Sequence, residues 1–490
     1  MTSPMSDPVL EAPTTAAETT VAHPYAVLRW LVTATFVVIL NETIMVNAIP
    51  RLMTDFEVTA RSAQWLSTAF MLTMAVVIPV TGWFLQRVTT RTAFTVAMSL
   101  FIGGTAVAAV APFFWLLVGA RVVQASGTAV MMPLLMTTLM MVVPEHDRGR
   151  VMGNVMLAIS VAPALGPAVS GLVLQFTSWR GLFLVVLPIA GAVAVLGLRR
   201  LEDVGEPQAS QVDWSSVVMA AFGFGTLVYG LSEIGSTHSG AVPPLAYIGF
   251  GLLVIGGFAL RQHRLAQGKG ALLDLRTLTH RTFTVSLLLQ SVAFMAMLGS
   301  MILLPLYLQQ LRGLTPLQTG LLVAPGGIAM GLLGPRVGKA FDSFGGRMLV
   351  IPGSIGVVAA LAALSRIGES TPYAVILGAH LLLMISLAAL FTPAFTLGLG
   401  ALPQHLYSHG SSMLGTVQQV AGAIGTAVAV TVVSSRAASL AAGGASADAA
   451  FVGGLRTSFA VAAGLALVVV ALAFVLPNRL PQGAEAPHGH

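Results

Sequence analysis

Residues 373–402 read YAVILGAHLLLMISLAALFTPAFTLGLGAL, a run of 30 residues that contains no Asp, Glu, Lys or Arg. A helix needs about 20 apolar residues to cross the hydrocarbon core of a bilayer. This run therefore predicts a membrane-spanning helix, and its lack of charge argues against a place on the surface of a soluble protein.

Apolar tracts of the same kind recur along the chain, separated by charged residues or by Pro and Gly. Charged residues are only 9% of the chain and hydrophobic residues are 56%, whereas soluble domains are roughly 25% charged. Because so little charge cannot cover a soluble surface, we expect an all-α integral membrane protein. Fourteen tracts are long enough to span, at about 28–49, 64–85, 93–111, 113–142, 151–175, 181–198, 214–233, 244–260, 282–308, 316–337, 348–366, 373–402, 411–435 and 455–476.

The composition also limits partners and cofactors. The net charge is +6, but the basic residues are dispersed, so we interpret them as loop charges and expect no nucleic acid partner. The absence of Cys excludes disulfides and thiolate metal ligands, and neither a metal site nor another cofactor is predicted. Residues 1–27 begin as a polar segment without Lys or Arg, which indicates a tail rather than a signal peptide.

The Lys and Arg residues predict the orientation of the spans. With the N-terminus inside the cell, the alternating scheme places 16 of the 24 Lys and Arg on the cytoplasmic side, 7 outside and one, Arg121, within the membrane. Cytoplasmic loops carry an excess of Lys and Arg. We therefore expect a multi-pass protein of the plasma membrane with both termini in the cytoplasm.

Two loops show an internal repeat. The loop after the second tract reads GWFLQRVTTR (82–91), and the loop after the tenth reads GKAFDSFGGR (338–347), with Gly, an Asp or Gln and Arg at matched offsets. If the seventh and eighth tracts are an insertion, both loops follow the second helix of a six-helix half. We expect these loops to gate the protein through Gly82, Arg87, Arg91, Gly338, Asp342, Gly345 and Arg347.

This repeat predicts two parallel six-helix halves with a two-helix insert. The expected segments are a tail at 1–27, an N-terminal half at 28–200, a linker with the inserted helices at 201–280, a C-terminal half at 281–477 and a tail at 478–490. Parallel halves of this kind place a substrate cavity near the membrane midplane.

A few ionisable residues fall inside the tracts. A charge in the bilayer costs several kcal/mol, so each needs a function or a partner. Glu42 is predicted mid-span in the first tract and Arg121 in the fourth. They form either a structural salt bridge or a proton-coupling pair in which the carboxylate exchanges its proton as Arg121 withdraws and returns. Glu233 is expected at a helix end, and His380 is more readily explained as a packing or cavity-lining residue than as a proton relay.

The fifth tract contains the stretch PALGPAVSG (163–171). Its prolines interrupt helical hydrogen bonding and its small residues allow a neighbouring helix to approach closely, which favours a bent helix at a moving interface. The residues that carry this motif are Pro163, Gly166, Pro167 and Gly171. Soft or polar side chains in the tracts are candidates for lining a cavity, although Met is also an ordinary packing residue; these candidates are Asn41, Met71, Met131, Met295, His380 and Gln418.

Together these motifs resemble the major facilitator superfamily, and within it the fourteen-span drug:proton antiporters (the DHA2 group). Residues 40–50 resemble the first-span signature L-D-x-T-I-V-N-V-A-L-P, and 82–91 the loop motif G-x-L-x-D-R-x-G-R-R. Residues 121–127 resemble the motif R-x-x-Q-G-x-G, and 163–171 the antiporter motif ending G-P-x-x-G-G. The resemblance implies proton-coupled export, with Arg121 involved in proton coupling.

The sequence departs from these patterns in informative places. Asn41 stands where the first-span Asp is usual, and Glu42 follows it, displaced by about 100° around the helix. This L-N-E-T variant resembles a lincomycin-resistance branch of the group. Gln86 and Thr89 replace the Asp and Gly of the first loop motif, whereas the second copy keeps Asp342 and is the better candidate for a gating contact.

Three function classes are open to a chain of this kind. The first is proton-driven export of small lipophilic or amphiphilic compounds; the second is proton-coupled export of one specific metabolite, siderophore or envelope lipid. A membrane enzyme or a channel is the third class, but no nucleophile–base pair, metal cluster or G-x-x-x-x-G-K loop supports an enzyme or an ATP-driven pump. The expected partners are a small-molecule substrate, protons and the lipid bilayer, and the protein is expected to be a monomer.

Overall fold

The computed structural model describes residues 24–45, 48–204, 212–234, 242–266 and 270–480. Regular structure in these ranges is helical throughout. The α-helices are α1 (Pro24–Ile44), α2 (Ile49–Asp55), α3 (Ala60–Arg87), α4 (Thr90–Ala109), α5 (Phe114–Val142), α6 (Arg148–Phe176), α7 (Arg180–Arg200), α8 (Trp214–Glu233), α9 (Pro244–Leu265), α10 (Arg281–Leu306), α11 (Pro316–Phe344), α12 (Arg347–Leu364), α13 (Tyr373–Gly400), α14 (Tyr407–Ala442) and α15 (Ala447–Val475).

The helices match the apolar tracts. Within the described ranges, 13 helices are long and apolar enough to cross a membrane, and α6, with 29 residues, is a further long helix. Only α2, with 7 residues, is too short to span. The prediction of an all-α membrane protein is thus confirmed, while most of the two predicted terminal tails lies outside the described residues.

The first apolar tract ends earlier than predicted, and this changes the position of Glu42 along its helix. The first tract was predicted over 28–49, but α1 ends at Ile44 and Pro50 lies in the first turn of α2. Proline is well accepted in a first turn, because its missing N–H would have no intrahelical partner there. Glu42 therefore lies in the last turn of α1 and not at mid-span, so that part of the prediction was wrong.

Two six-helix units repeat the same packing. If α1, α3, α4, α5, α6 and α7 are matched in order to α10 through α15, the main neighbour pairs of the first unit recur in the second. For example, α4 packs on α5 and α7, and α12 packs on α13 and α15. The predicted pair of parallel halves is confirmed; we call them the N half (α1 and α3–α7) and the C half (α10–α15).

The inserted helices α8 and α9 pack on each other, and α8 also contacts α3 of the N half and α14 of the C half. Their ends on one side are joined by a bidentate pair, in which Arg261 Nε and Nη2 donate to the Asp213 carboxylate at 2.6 and 2.8 Å. These hydrogen bonds lower the pKa of Asp213 to about 2. The buried Gln262 side chain then accepts the backbone N–H groups of Leu272 and Leu273, which fixes the segment that leads to α10.

The two halves meet mainly at one end of the bundle. Four helix pairs make this contact: α6 with α11, α6 with α13, α3 with α14, and α5 with α14. They form two matched sets, because α6 and α11 correspond to α14 and α3 in the other half. We call this end the basic end, because it carries Arg87, Arg91, Arg148, Arg150 and Arg347.

Candidate functional site

Arg121 lies in the second turn of α5 and is only 2% exposed. Its Nη1 donates to Gln124 Oε1 at 2.6 Å, and its guanidinium carbon lies 4.2 Å from the ring centroid of Phe70 on α3. A cation over an aromatic face is stabilised by the ring quadrupole. Arg121 Nε has no hydrogen-bond partner in the described part of the structure, so one donor of the guanidinium is free.

Glu42 is the acidic neighbour of Arg121. The two side chains interact electrostatically. However, among the described residues no ion pair of 4 Å or less joins them. The structural salt bridge considered above is therefore not formed in this conformation. Beside Glu42, Asn41 is completely buried, and neither polar atom of its side chain has a described partner.

The helix with the antiporter-like motif packs against Thr43, the residue after Glu42. A Cβ atom on Gly166 of α6 would lie 2.2 Å from Thr43 Oγ1 on α1, so the two helices approach here because residue 166 has no side chain. A Cβ atom added at Gly171 would meet no atom within 4 Å. Pro163 is half-buried on the same helix, and the side chain of Pro167 lies outside the described part of the structure.

The second loop motif joins the halves at the basic end. The Asp342 carboxylate at the end of α11 accepts the backbone N–H of Gly149 at 2.9 Å and of Arg150 at 2.8 Å. These N–H groups open α6, so a carboxylate of one half caps a helix of the other, where the helix dipole favours negative charge. A Cβ on Gly338 would lie 2.0 Å from the Gly149 carbonyl oxygen, which shows how closely the two backbones pack.

The remaining residues of this motif stay within the C half. Gly345 ends α11 with φ +87°, a conformation that favours glycine. Arg347 Nε donates to the Leu476 carbonyl at 2.9 Å and Nη2 to the Phe474 carbonyl at 3.4 Å, at the end of α15. Arg347 thus meets helix-end carbonyls of its own half, and these contacts do not include Asp342.

The first loop motif makes a weaker version of the same contact. Gln86 occupies the position of Asp342, and its Nε2 donates to the carbonyl of His405, just before α14, at 2.8 Å. A Cβ on Gly82 would lie 3.0 Å from the His409 side chain. Arg87 lies over the Trp83 ring, and the backbone N–H of Arg91 is accepted by an acidic side chain just after α7.

A cavity opens beside each of these interfaces. One of ≈510 Å³ lies next to α3 and α14 and includes Gln86 and His405 in its wall. The other, of ≈720 Å³, lies next to α6 and α11 and includes Arg148 and Asp342. Both are at the basic end, so each repeats the position of the other across the two halves.

The candidate lining residues differ in how deeply they are buried. Met131 has no exposed surface and packs in the core, so it does not line an open cavity in this conformation. His380 is 2% exposed and packs against Gly326 of α11, where an added Cβ would lie 2.5 Å from the imidazole. Met71, Met295 and Gln418 are half-buried.

A model of the Major Facilitator Superfamily matches residues 31–426. The chain belongs to the major facilitator superfamily. The uncharacterized MFS-type transporter YcnB of Bacillus subtilis (strain 168) is 38% identical over 93% of this chain and 96% of its own length.

Other members extend the comparison. The lincomycin resistance protein LmrB of Listeria monocytogenes is 37% identical over 84% of this chain and 87% of its own. Among solved structures, the proton:xylose symporter XylE bound to 6-bromo-6-deoxy-D-glucose aligns with a TM-score of 0.67 at 14% identity, over 94% of this chain and 97% of that one. The likeness to XylE shows the fold alone. As a superfamily member with transporter relatives, the protein is a multi-pass membrane transporter and not an enzyme.

Proposed function

We propose that this transporter exports small lipophilic or amphiphilic compounds across the plasma membrane, driven by protons that enter the cell. The observation that carries the proposal is the pair of ionisable residues within the N half, Glu42 and Arg121. They lie within electrostatic reach but are not joined, and Arg121 is held instead by the neutral Gln124 and the ring of Phe70.

Such a pair has two arrangements with different proton content. A protonated Glu42 leaves Arg121 with its neutral partners, and a deprotonated Glu42 draws the guanidinium towards it. If substrate and proton compete for this carboxylate, binding of one releases the other, which is what antiport requires. The name of the lincomycin resistance relative supports antibiotics as one substrate class.

The orientation of the protein decides which side of the membrane is closed in this conformation. We place the basic end, with Arg87 and Arg347, in the cytoplasm, because cytoplasmic loops are rich in Lys and Arg. The described hydrogen bonds between the halves then close the cytoplasmic side. Because the chain contains no Cys, single cysteines at Ser343 and Ala445 test this: an impermeant thiol reagent should label only Ala445→Cys in intact cells, and labelling of Ser343→Cys would reverse the topology.

Proton coupling is tested with everted membrane vesicles that contain the protein. The probes are ethidium and lincomycin, measured with an imposed pH gradient and again after an uncoupler. We expect accumulation of at least one probe that collapses with the uncoupler. Equal accumulation with and without the gradient would refute proton coupling.

A further inference from the structure

The side-chain amide of Gln124 forms hydrogen bonds with a cation and with a hydroxyl group. Its Oε1 accepts from Arg121 Nη1 at 2.6 Å, and its Nε2 donates to Thr105 Oγ1 on α4 at 2.8 Å. Thr105 is completely buried, as is Gln124. The amide of Gln124 therefore links α4 to Arg121 within α5.

The chemistry of the two neighbours permits only one orientation of this amide. Arg121 can only donate hydrogen bonds, so it requires the amide oxygen. The Thr105 hydroxyl has one hydrogen, and it donates this hydrogen to the Phe101 carbonyl at 2.6 Å. Its oxygen must therefore accept from the amide nitrogen. The orientation follows from this polarity and not only from the placement of the amide atoms.

Two glycines bring Thr105 within reach. A Cβ on Gly104 would lie 2.7 Å from the backbone nitrogen of Gln124, and one on Gly127 would lie 2.3 Å from the Ala97 carbonyl oxygen. Helices α4 and α5 therefore pack backbone to backbone along this stretch, as small residues allow in membranes. The close approach puts a hydroxyl of α4 against an amide of α5.

We propose that Thr105 is a positioning residue for Arg121 in the proton-coupling step, an inference that rests on the proposed function. By holding the amide oxygen of Gln124 towards the guanidinium, Thr105 gives Arg121 a neutral partner while Glu42 is protonated. Without the hydroxyl, the amide is free to turn its NH₂ group towards Arg121. The guanidinium then loses that acceptor and moves towards Glu42.

The expected signature is a shift in the pH dependence of export. Among the described residues, Glu42 is the one ionisable group whose charge reaches Arg121, and Arg121 is the one that reaches Glu42; α3 contributes the Phe70 ring and α4 only neutral side chains. A stronger pairing between them favours the carboxylate form of Glu42, so a more acidic pH is needed to protonate it. Loss of the Thr105 hydroxyl should therefore move the export profile towards acid pH.

The experiment measures pH-gradient-driven uptake of the probe into everted vesicles across a range of pH. Thr105→Val should slow uptake about three- to tenfold, the scale of one lost buried hydrogen bond, and shift the profile towards acid pH. Thr105→Ser keeps the hydroxyl and should restore both. Thr128→Val is the matched control: Thr128 is also buried, but its hydroxyl bonds only to the backbone carbonyl of residue 124, and its profile should remain that of the wild type.

Epistasis separates positioning from a purely structural role. In a Gln124→Met background, Thr105→Val should have no additional effect, since it acts through the amide. A Thr105→Val profile that superimposes on the wild type, or an equal loss in the Gln124→Met background, would overturn the proposal. If the wild type itself shows no gradient-driven uptake of either probe, the proposed function fails first, and the two failures are told apart.

Discussion

The two halves carry the same scaffold but different residues at matched positions. Residues 119–121 read Gly-Ala-Arg on α5, and residues 378–380 read Gly-Ala-His on α13, an offset of 259. On the helices before them the offset is 256, as in Gly82 and Gly338. His380 of the C half thus stands where the N half has Arg121.

The surroundings correspond as well. Arg121 lies over Phe70 of α3, and the position 256 residues later is Gly326 of α11, which His380 contacts. A second contact fixes the register: a Cβ on Gly127 would meet the Ala97 carbonyl oxygen, and a Cβ on Gly353, 256 after Ala97, would meet the Ser386 carbonyl oxygen, 259 after Gly127. The matched positions are therefore neighbours in space and not only in sequence.

What differs is the polar network. Applying the same offsets, Gln124 corresponds to Leu383 and Thr105 to Leu361, and both leucines are completely buried. The C half therefore fills with apolar side chains the space that the N half uses to orient a guanidinium. The two halves thus share a fold but not this polar network, which lies in the N half alone among the matched positions.

The largest expected effect is at the matched pair Arg121 and His380. Arg121→Gln should lower gradient-driven export by about two orders of magnitude, the scale on which losing one partner of a buried charge pair acts. His380→Gln, in the apolar counterpart, should lower it by much less. Export rates in vesicles, normalised to protein in the membrane, decide between them. Equal losses would mean that both halves carry the coupling.

The two interfaces at the basic end should respond differently to a single methyl group. Gly338→Ala places a Cβ against the Gly149 backbone, at 2.0 Å from its carbonyl oxygen, whereas for Gly82→Ala the nearest atom lies 3.0 Å away, in the His409 side chain. We expect Gly338→Ala to hold the basic end open and reduce export about tenfold or more, since backbone overlap resists relaxation. Thiol labelling of Ser411→Cys reports the opening, because Ser411 is buried between α14 and α5 in this conformation.

Gly464→Ala serves as the control for this pair, because a Cβ there meets nothing within 4 Å. It should behave as the wild type. A stronger effect from Gly82→Ala than from Gly338→Ala would reverse the order of the two interfaces.

A smaller difference is expected between the caps of the two interfaces. Asp342→Asn removes the charge that meets the first N–H groups of α6, and should cost about 1–2 kcal/mol of closed-state stability and slow export severalfold. Gln86→Leu removes a neutral hydrogen bond and should cost about 0.5–1.5 kcal/mol. The measurement is the closing rate followed by a fluorescent label at the basic end. If Gln86→Leu slows closing more than Asp342→Asn, the carboxylate cap is not the stronger contact.

The smallest effect concerns the insert, which belongs to neither half. The Arg261 hydrogen bonds hold the pKa of Asp213 at about 2, so this pair contributes stability above the unfolded pKa of about 4 and loses it as the pH falls through 2. Asp213→Asn should therefore lower thermal stability slightly, and by the same amount at pH 7 and pH 5, because the Arg261 side chain is 41% exposed and solvent screens the pair. A destabilisation that vanishes at pH 5 would contradict this assignment.

Much of the fold was predictable because membrane helices are bounded by charge. The seventh tract was predicted at 214–233, between Asp213 and Glu233, and α8 spans Trp214–Glu233. By contrast, α14 covers Tyr407–Ala442 where 411–435 was predicted, because its ends carry Ser and Arg residues that are helical without being apolar. The domain boundaries at 200 and 281 remain predictions.

The candidate site was predictable only in part. Arg121 and Glu42 are visible as charges in apolar tracts, and Gln124 belongs to the same motif. The role of Thr105 was not predictable, because a lone Thr in an apolar helix gives no sign of which neighbouring helix it faces. The target of Asp342, the first turn of α6, lies in the other half, some 190 residues earlier in the sequence, and no local pattern connects the two.

We propose that Glu42, beside Arg121 in the N half, couples protons to export. This claim is tested most directly by comparing two modes of transport in proteoliposomes that contain Glu42→Gln. Exchange of labelled for unlabelled probe needs no net proton movement, whereas accumulation under a pH gradient does. We predict that Glu42→Gln keeps exchange at close to the wild-type rate and loses gradient-driven accumulation. Accumulation at the wild-type rate by Glu42→Gln would contradict the claim.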